Sequence, residues 1–153
     1  SKLKNAYRDL DVKPQPGTDD LFDFLRARGI KIALNTGYDR PTAESLVRKI
    51  GWEEGKDFDL LVTASDVKGS RPAPDMIDYA RAQLGVEEAE SVAKVGDSVI
   101  DIEEGRNAGC GMTVGITTGA HQADQLQSAN PSLVIDELAT LKAHLSQAEK
   151  TSL

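Results

Sequence analysis

The chain has 153 residues, of which 39% are hydrophobic and 28% are charged, and its formal net charge is −7. That length suits a single domain with a sizeable buried core. The acidic balance argues against nucleic acid or an anionic membrane surface as the main partner, and no apolar run approaches the roughly 20 residues of a membrane span.

Helical and extended stretches then alternate along the chain. After a predicted helix over 2–10, prolines and a glycine break the chain, and Thr18 is the predicted N-cap of the next helix. Further helices are predicted at 21–28, 42–50, 76–85, 100–108, 123–129 and 137–145. Short apolar strands are predicted at 30–34, 60–64, 92–95, 112–116 and 132–136.

Apolar strands separated by helices are typical of a parallel sheet that is covered on both faces. We therefore predict an α/β fold with a doubly wound parallel sheet. Residues 146–153 are predicted to be a tail. The single cysteine, Cys110, excludes an internal disulfide, and we interpret it as a packing residue of a cytoplasmic protein.

Polar residues collect just after three of the predicted strands. Thr36 and Gly37 follow the first strand, and Lys68 and Arg71 follow the second. Two aspartates, Asp97 and Asp101, follow the third strand, in the segment VAKVGDSVID. Because ligands of open parallel sheets bind at the carboxyl ends of the strands, we expect these side chains to share one site.

The chemistry of this set is that of phosphoryl transfer. Two neighbouring carboxylates repel unless a proton or a cation lies between them, and Mg²⁺ takes one or two carboxylates plus waters and substrate oxygens. A hydroxyl and a glycine N–H, here from Thr36 and Gly37, suit phosphoryl oxygens. Arg71 or Lys68 would neutralise the phosphoryl group.

Each residue also has a simpler interpretation. Asp101 could be a helix-start acid, Asp97 a turn residue, and Thr36 a turn or capping hydroxyl. Lys68 could be a solvated loop charge, and His121 a capping or loop residue. The functional interpretation rests on their occurrence together, in chain order, at predicted strand ends.

Three segments resemble loops of the haloacid dehalogenase-like (HAD) hydrolase superfamily, a family of Mg²⁺-dependent phosphatases and relatives. These are NTG at 35–37, GSRPAPD at 69–75 and GDSVID at 96–101. The segments ALNTGYDR, SRPAPDMI and TTGAH are most similar to the phosphonatase-like branch, the relatives of phosphonoacetaldehyde hydrolase. The resemblance extends over about 16–145.

The resemblance implies a Rossmann-like, HAD-like core at 16–145, with 1–15 as the remnant of a helical cap and linker. It implies that Thr36 and Gly37 hold phosphoryl oxygens and that Arg71 neutralises the nucleophile and the phosphate. Asp97 would ligate Mg²⁺, and Asp101 would assist directly or through water. An aspartate would attack in line and give an aspartyl-phosphate that water hydrolyses.

The first motif of that family, Asp-x-Asp-Gly-Thr after an opening strand, does not occur in the sequence; the DFD triplet at 57–59 precedes a strand. We therefore expect the central strand, between those ending at Leu34 and Val95, to be missing and the chain to be part of a longer protein. The intact protein would hydrolyse a small phosphate ester or phosphonate. The alternative is a non-catalytic phosphate-binding or protein-interaction module that closes its sheet as a homodimer or with a partner.

Overall fold

The computed structural model describes residues 16–117 and 121–151, with side chains to residue 147. The predicted helix over 2–10 and the 1–15 segment lie outside the described residues. The helices of the described part are α1 Thr18–Ala27, α2 Arg40–Ile50, α3 Asp75–Leu84, α4 Val99–Asn107, α5 Ala123–Gln127 and α6 Leu138–Thr151. Its strands are β1 Ala33–Asn35, β2 Leu60–Val62, β3 Ala93–Gly96, β4 Met112–Ile116 and β5 Leu133–Ile135.

The strands form two parallel ladders. One has the order β1-β2, in register from Ala33 opposite Leu60, and the other has the order β3-β4-β5. Among the described residues no backbone ladder joins β1 to β3. The parallel sheet is confirmed, and the break between the ladders lies where the missing strand is expected.

Helices cover both faces of the sheet, as the apolar strands predict. On one face, α1, α2 and α6 bury a single apolar cluster that includes Leu34 of β1 and Val95 of β3, so this face joins the two ladders. On the other face, α3 packs against β1 and β2, while α4 and α5 pack against the second ladder. No helix of the described part is long and apolar enough to cross a membrane.

Local capping explains where the helices differ from prediction. Thr18 is the first helical residue rather than the N-cap; Gly17 takes that place with φ of 86°, which glycine adopts without strain. Helix α2 begins at Arg40, two residues before the predicted 42, because the Asp39 carboxylate accepts from the Thr42 N–H. The closing helix α6 runs to Thr151 instead of ending at residue 145.

Strand β2 passes into a single 3-10 turn, Ala64–Asp66, that is held by one carboxylate. Asp66 Oδ2 accepts from the Thr63 N–H at 2.7 Å, from the Thr63 hydroxyl at 3.0 Å and from Arg40 Nη2 at 2.7 Å. Burial alone would raise the pKa of Asp66, but the hydrogen bonds from Arg40 and Thr63 hold it below its ordinary value of 3.8. The turn thus depends on an ionised Asp66.

Asp66→Asn is expected to lower the free energy of unfolding by about 1–2 kcal/mol at pH 7. Because the folded-state pKa is depressed, the carboxylate stabilises above pH 3.8 and that contribution is lost as pH falls below it. Urea unfolding of both proteins at pH 7 and pH 3 measures this difference. Glu44→Gln is the control, since it removes an exposed pair with the same Arg40. A difference that is the same at both pH values would contradict the expectation.

Candidate active site at the carboxyl edge of the sheet

The first loop of the site leaves β1 directly. The Thr36 N–H donates to the Val62 carbonyl at 3.0 Å, which extends the β1–β2 pairing by one residue. The Thr36 hydroxyl accepts from the Tyr38 N–H at 3.2 Å, so it also serves as the turn hydroxyl of the simpler interpretation. Thr36 is buried, whereas Gly37 is exposed at the carboxyl edge.

Arg71 joins three of the predicted loops. Its Nη1 donates to Asp101 Oδ1 at 2.7 Å. Its Nη2 lies 3.7 Å from the point where a Cβ on Gly37 would stand. The guanidinium therefore lies between the glycine loop after β1 and the acidic loop after β3, as the predicted site requires.

The loop that carries Arg71 is fixed on both sides. The Gly69 N–H donates to Asp75 Oδ2 at 3.0 Å, so the first turn of α3 holds the beginning of the loop. Asn107 Nδ2 donates to the Pro72 carbonyl at 2.8 Å, from the end of α4. These contacts restrict where the guanidinium can lie.

Asp101 is buried and accepts at both carboxylate oxygens. Oδ2 receives the Asp97 N–H at 3.1 Å, the Ser98 N–H at 3.1 Å and the Ser98 hydroxyl at 2.9 Å. Ser98 in turn caps α4, which makes a reciprocal capping box. The helix-start interpretation of Asp101 is therefore confirmed, and the same residue holds the site arginine.

The two aspartates differ in what they could offer a metal ion. Asp101 already accepts from Arg71 and from the loop amides, whereas the Asp97 carboxylate is only half-buried at the strand exit. Among the described residues no group of three or more acidic, histidine or cysteine side chains could hold a metal. Mg²⁺ binds one or two carboxylates and fills its remaining positions with waters and substrate oxygens. The carboxylates at this strand exit are therefore of the type that Mg²⁺ binds.

Other predicted residues lie at the margin of the site. Lys68 is exposed, and no contact within the described part joins its ammonium group to Thr36 or Arg71, as expected of a solvated loop charge. His121 Nδ1 accepts from the Val99 N–H at 2.9 Å and so caps the first turn of α4. Burial raises the pKa of Cys110 to about 11, which suits a packing residue and not a nucleophile.

The sequence interpretation missed a buried polar cluster, formed by Asn35, Lys94 and Glu104. Lys94 Nζ lies 2.9 Å from Glu104 Oε1 and donates to Asn35 Oδ1 at 3.0 Å, while Asn35 Nδ2 donates to Glu104 Oε2 at 3.2 Å. All three residues are at most 1% exposed. A lysine within the apolar run VAKVG was the available signal, because lysine is almost never fully buried unless it is paired.

Comparison with known proteins decides the family. A family model described as haloacid dehalogenase-like hydrolase matches residues 3–109. The chain belongs to the haloacid dehalogenase-like hydrolases. Relatives named phosphonoacetaldehyde hydrolase are similar to this HAD-like chain: one from Parabacteroides distasonis is 36% identical over 134 residues, 88% of this chain and 50% of the relative. Another, from Bacillus cereus, is 42% identical over 109 residues, 71% of this chain and 40% of the relative.

Solved structures agree with this assignment. A phosphonoacetaldehyde hydrolase-like protein from Oleispira antarctica is 30% identical with a TM-score of 0.76, over 88% of this chain and 56% of that one. A hydrolase from Pseudomonas syringae, 23% identical with a TM-score of 0.76 over 86% of this chain and 59% of that one, shows the same fold. The HAD-like chain spans about half the length of the curated relatives it matches.

Proposed function

We propose that this chain carries the phosphate-binding and metal-binding loops of a Mg²⁺-dependent HAD-like hydrolase that acts on a small phosphate ester or phosphonate. The observation that carries the proposal is the position of Arg71, whose guanidinium lies between Gly37 and Asp101. A planar cation flanked by a glycine loop and an acidic loop suits the tetrahedral, multiply charged phosphoryl group.

The roles follow from the geometry of the described loops. The Gly37 N–H and the Thr36 hydroxyl would donate to phosphoryl oxygens, because both lie at the end of β1 and Gly37 lies beside the Arg71 guanidinium. Arg71 would exchange part of its interaction with Asp101 for the phosphoryl oxygens. Lys68, exposed on the same loop, would add positive charge near the entrance.

The carboxylates would hold the metal ion. Asp97 is the residue to ligate Mg²⁺ directly, and Asp101, which already accepts from Arg71 and the loop amides, would act through water. Bound Mg²⁺ would neutralise charge on the phosphoryl oxygens. Asp101 would also keep Arg71 oriented toward the phosphate position before substrate arrives.

The aspartate nucleophile would come from outside these 153 residues. The sequence has no Asp-x-Asp-Gly-Thr motif: the Asp-x-Asp triplet at 57–59 precedes β2, and the triplet at 9–11, outside the described residues, is followed by Val-Lys. A second copy of the chain in a homodimer would therefore not bring the motif either. We therefore favour a segment of a longer, cytoplasmic protein over a homodimer. Relatives named phosphonoacetaldehyde hydrolase make a phosphonate with a C–P bond the first substrate to test.

The 153-residue chain alone is expected to show only background hydrolysis of phosphate esters and of phosphonoacetaldehyde with Mg²⁺, because it lacks the nucleophile. The protein that carries the preceding segment is expected to turn over one of these substrates. Asp97→Asn in that longer protein should lower kcat/KM by a factor of about 100 or more, since it weakens the metal site. Phosphate or acetaldehyde release, measured with and without Mg²⁺, checks both expectations.

Glu103→Gln is the matched control, because Glu103 is an exposed carboxylate on the same helix as Asp101 and should leave turnover unchanged. Hydrolysis by the 153-residue chain that disappears in Asp97→Asn would show that the nucleophile lies within it. A longer protein that binds neither Mg²⁺ nor phosphate would contradict the proposed function.

A further inference from the structure

The three members of the buried polar cluster each adjoin a different part of the site. Asn35 directly precedes Thr36, Lys94 lies three residues before Asp97, and Glu104 lies one helical turn after Asp101. Their side chains close a ring of contacts between 2.9 and 3.2 Å that water does not reach. The ring therefore connects the backbone behind the phosphate loop to the backbone behind the acidic loop.

The cluster lies where backbone pairing is absent. Among the described residues β1 and β3 share no ladder, and on the α1 face the break is closed by apolar side chains that include Leu34 and Val95. Because side chains alternate along a strand, Asn35 and Lys94 point to the opposite face. On that face, Lys94 packs beside Gly105 of α4, and its ammonium group is the one that reaches Asn35.

Apolar contacts and hydrogen bonds differ in what they fix. Apolar packing resists separation of the two ladders but tolerates small sliding, because it has no preferred direction. The hydrogen bonds from Lys94 to Asn35 and from Asn35 to Glu104 fix both distance and direction, and the ion pair of Lys94 with Glu104 adds charge attraction. Moving the partners of a fully desolvated polar pair apart costs stability, because neither group can bond to water instead. This cluster therefore favours a single position of β1 relative to β3.

We propose that Asn35, Lys94 and Glu104 are positioning residues, which set the distance between the phosphate-binding loop at Thr36 and the acidic loop at Asp97 and Asp101. The inference rests on the proposed function, because it assigns the purpose of the cluster to phosphate binding. A displacement of about 1 Å between such loops is enough to weaken binding or catalysis strongly.

Two variants separate positioning from stability. In the triple variant Asn35→Leu, Lys94→Met and Glu104→Leu, apolar side chains of similar size replace the whole cluster, which often leaves stability unchanged or raises it. In Glu104→Gln, the carboxamide keeps a hydrogen-bonding group beside Asn35 and Lys94 but removes the charge, which lowers stability. A positioning role predicts that the triple variant loses phosphate affinity and that Glu104→Gln keeps it.

The probe is inorganic phosphate titrated by calorimetry in the presence of Mg²⁺, on the 153-residue chain. We expect the triple variant to bind phosphate about tenfold more weakly than wild type although it unfolds at the same urea concentration or higher. We expect Glu104→Gln to bind within about threefold of wild type although it unfolds at lower urea. Phosphate affinity that follows stability in both variants would overturn the inference.

A crystal structure of the triple variant provides the second measurement. The separation of Thr36 Oγ1 from the Asp101 carboxylate should change by roughly 1 Å, since the contacts that join Asn35 of β1 to Lys94 and Glu104 are then lost. An unchanged separation would overturn the inference whatever the titration shows. If the 153-residue chain binds no phosphate, the titration is repeated on the longer protein, where absence of binding contradicts the proposed function. The separation alone then decides whether the cluster positions the loops.

Discussion

Lys94→Met is expected to lower the free energy of unfolding by about 3–5 kcal/mol, one of the largest effects of any single substitution in the chain. The change removes the only cation that contacts Glu104 among the described residues and leaves a carboxylate that is 0% exposed without its counter-charge. It also takes the donor from Asn35 Oδ1. Methionine has nearly the same length as the lysine stem, so the loss would not come from a cavity.

Urea unfolding at pH 7 measures this effect. Lys31→Met is the matched control, because Lys31 is an exposed lysine near the start of β1 and should change stability by less than about 0.5 kcal/mol. The loss of stability in Lys94→Met should come from the unpaired charge of Glu104. Adding Glu104→Leu to Lys94→Met should therefore restore most of the lost stability, and a double variant less stable than Lys94→Met would contradict the explanation.

Gly96→Ala is the second substitution with a large expected effect, a loss of about 3 kcal/mol. A Cβ at this position would stand 2.2 Å from Asp101 Cβ and 2.4 Å from its Cγ, which no rotamer change relieves because the Cβ itself is in contact. The start of α4 would have to move, and with it the capping box of Ser98 and Asp101. The same movement would pull Asp101 from Arg71.

Gly37→Ala provides the comparison. Its Cβ would meet only Arg71 Nη2, at an ordinary contact distance of 3.7 Å, so stability should change by less than about 1 kcal/mol. Thermal unfolding of the two variants at equal concentration distinguishes them. Equal losses at both positions would mean that glycine is needed for chain flexibility and not for the close approach of Asp101.

The order of the elements could be predicted because the strands are short, mostly apolar runs and helices such as α1 and α2 have a clear apolar face. The strand β4, Met112–Ile116, lies where the pattern predicts it. Helix ends were less predictable because capping depends on geometry: Asp39 starts α2 through a hydrogen bond to Thr42, and the sequence offers several polar residues that could do so. Burial of Thr18 against the core likewise cannot be seen in a local pattern.

The candidate site could be predicted in outline because its residues follow strand ends. Arg71 was expected to share a site with the acidic loop, and nothing in the sequence indicates that it contacts Asp101. The lysine within VAKVG indicates a buried charge, but its partner could not be predicted, since a glutamate such as Glu104 on a helix is usually solvated. Its burial depends on the approach of β1 to α4, two elements that are far apart in sequence.

The break between the two ladders also has a mechanical consequence. Each ladder is a stiff block held by its own backbone bonds, and between the blocks the described residues offer only side-chain contacts. Sliding of one block against the other would therefore break no backbone bond between described residues, so this line should deform more easily than either ladder. Amides of the central strand β4 should exchange with solvent most slowly, because both of its edges are paired.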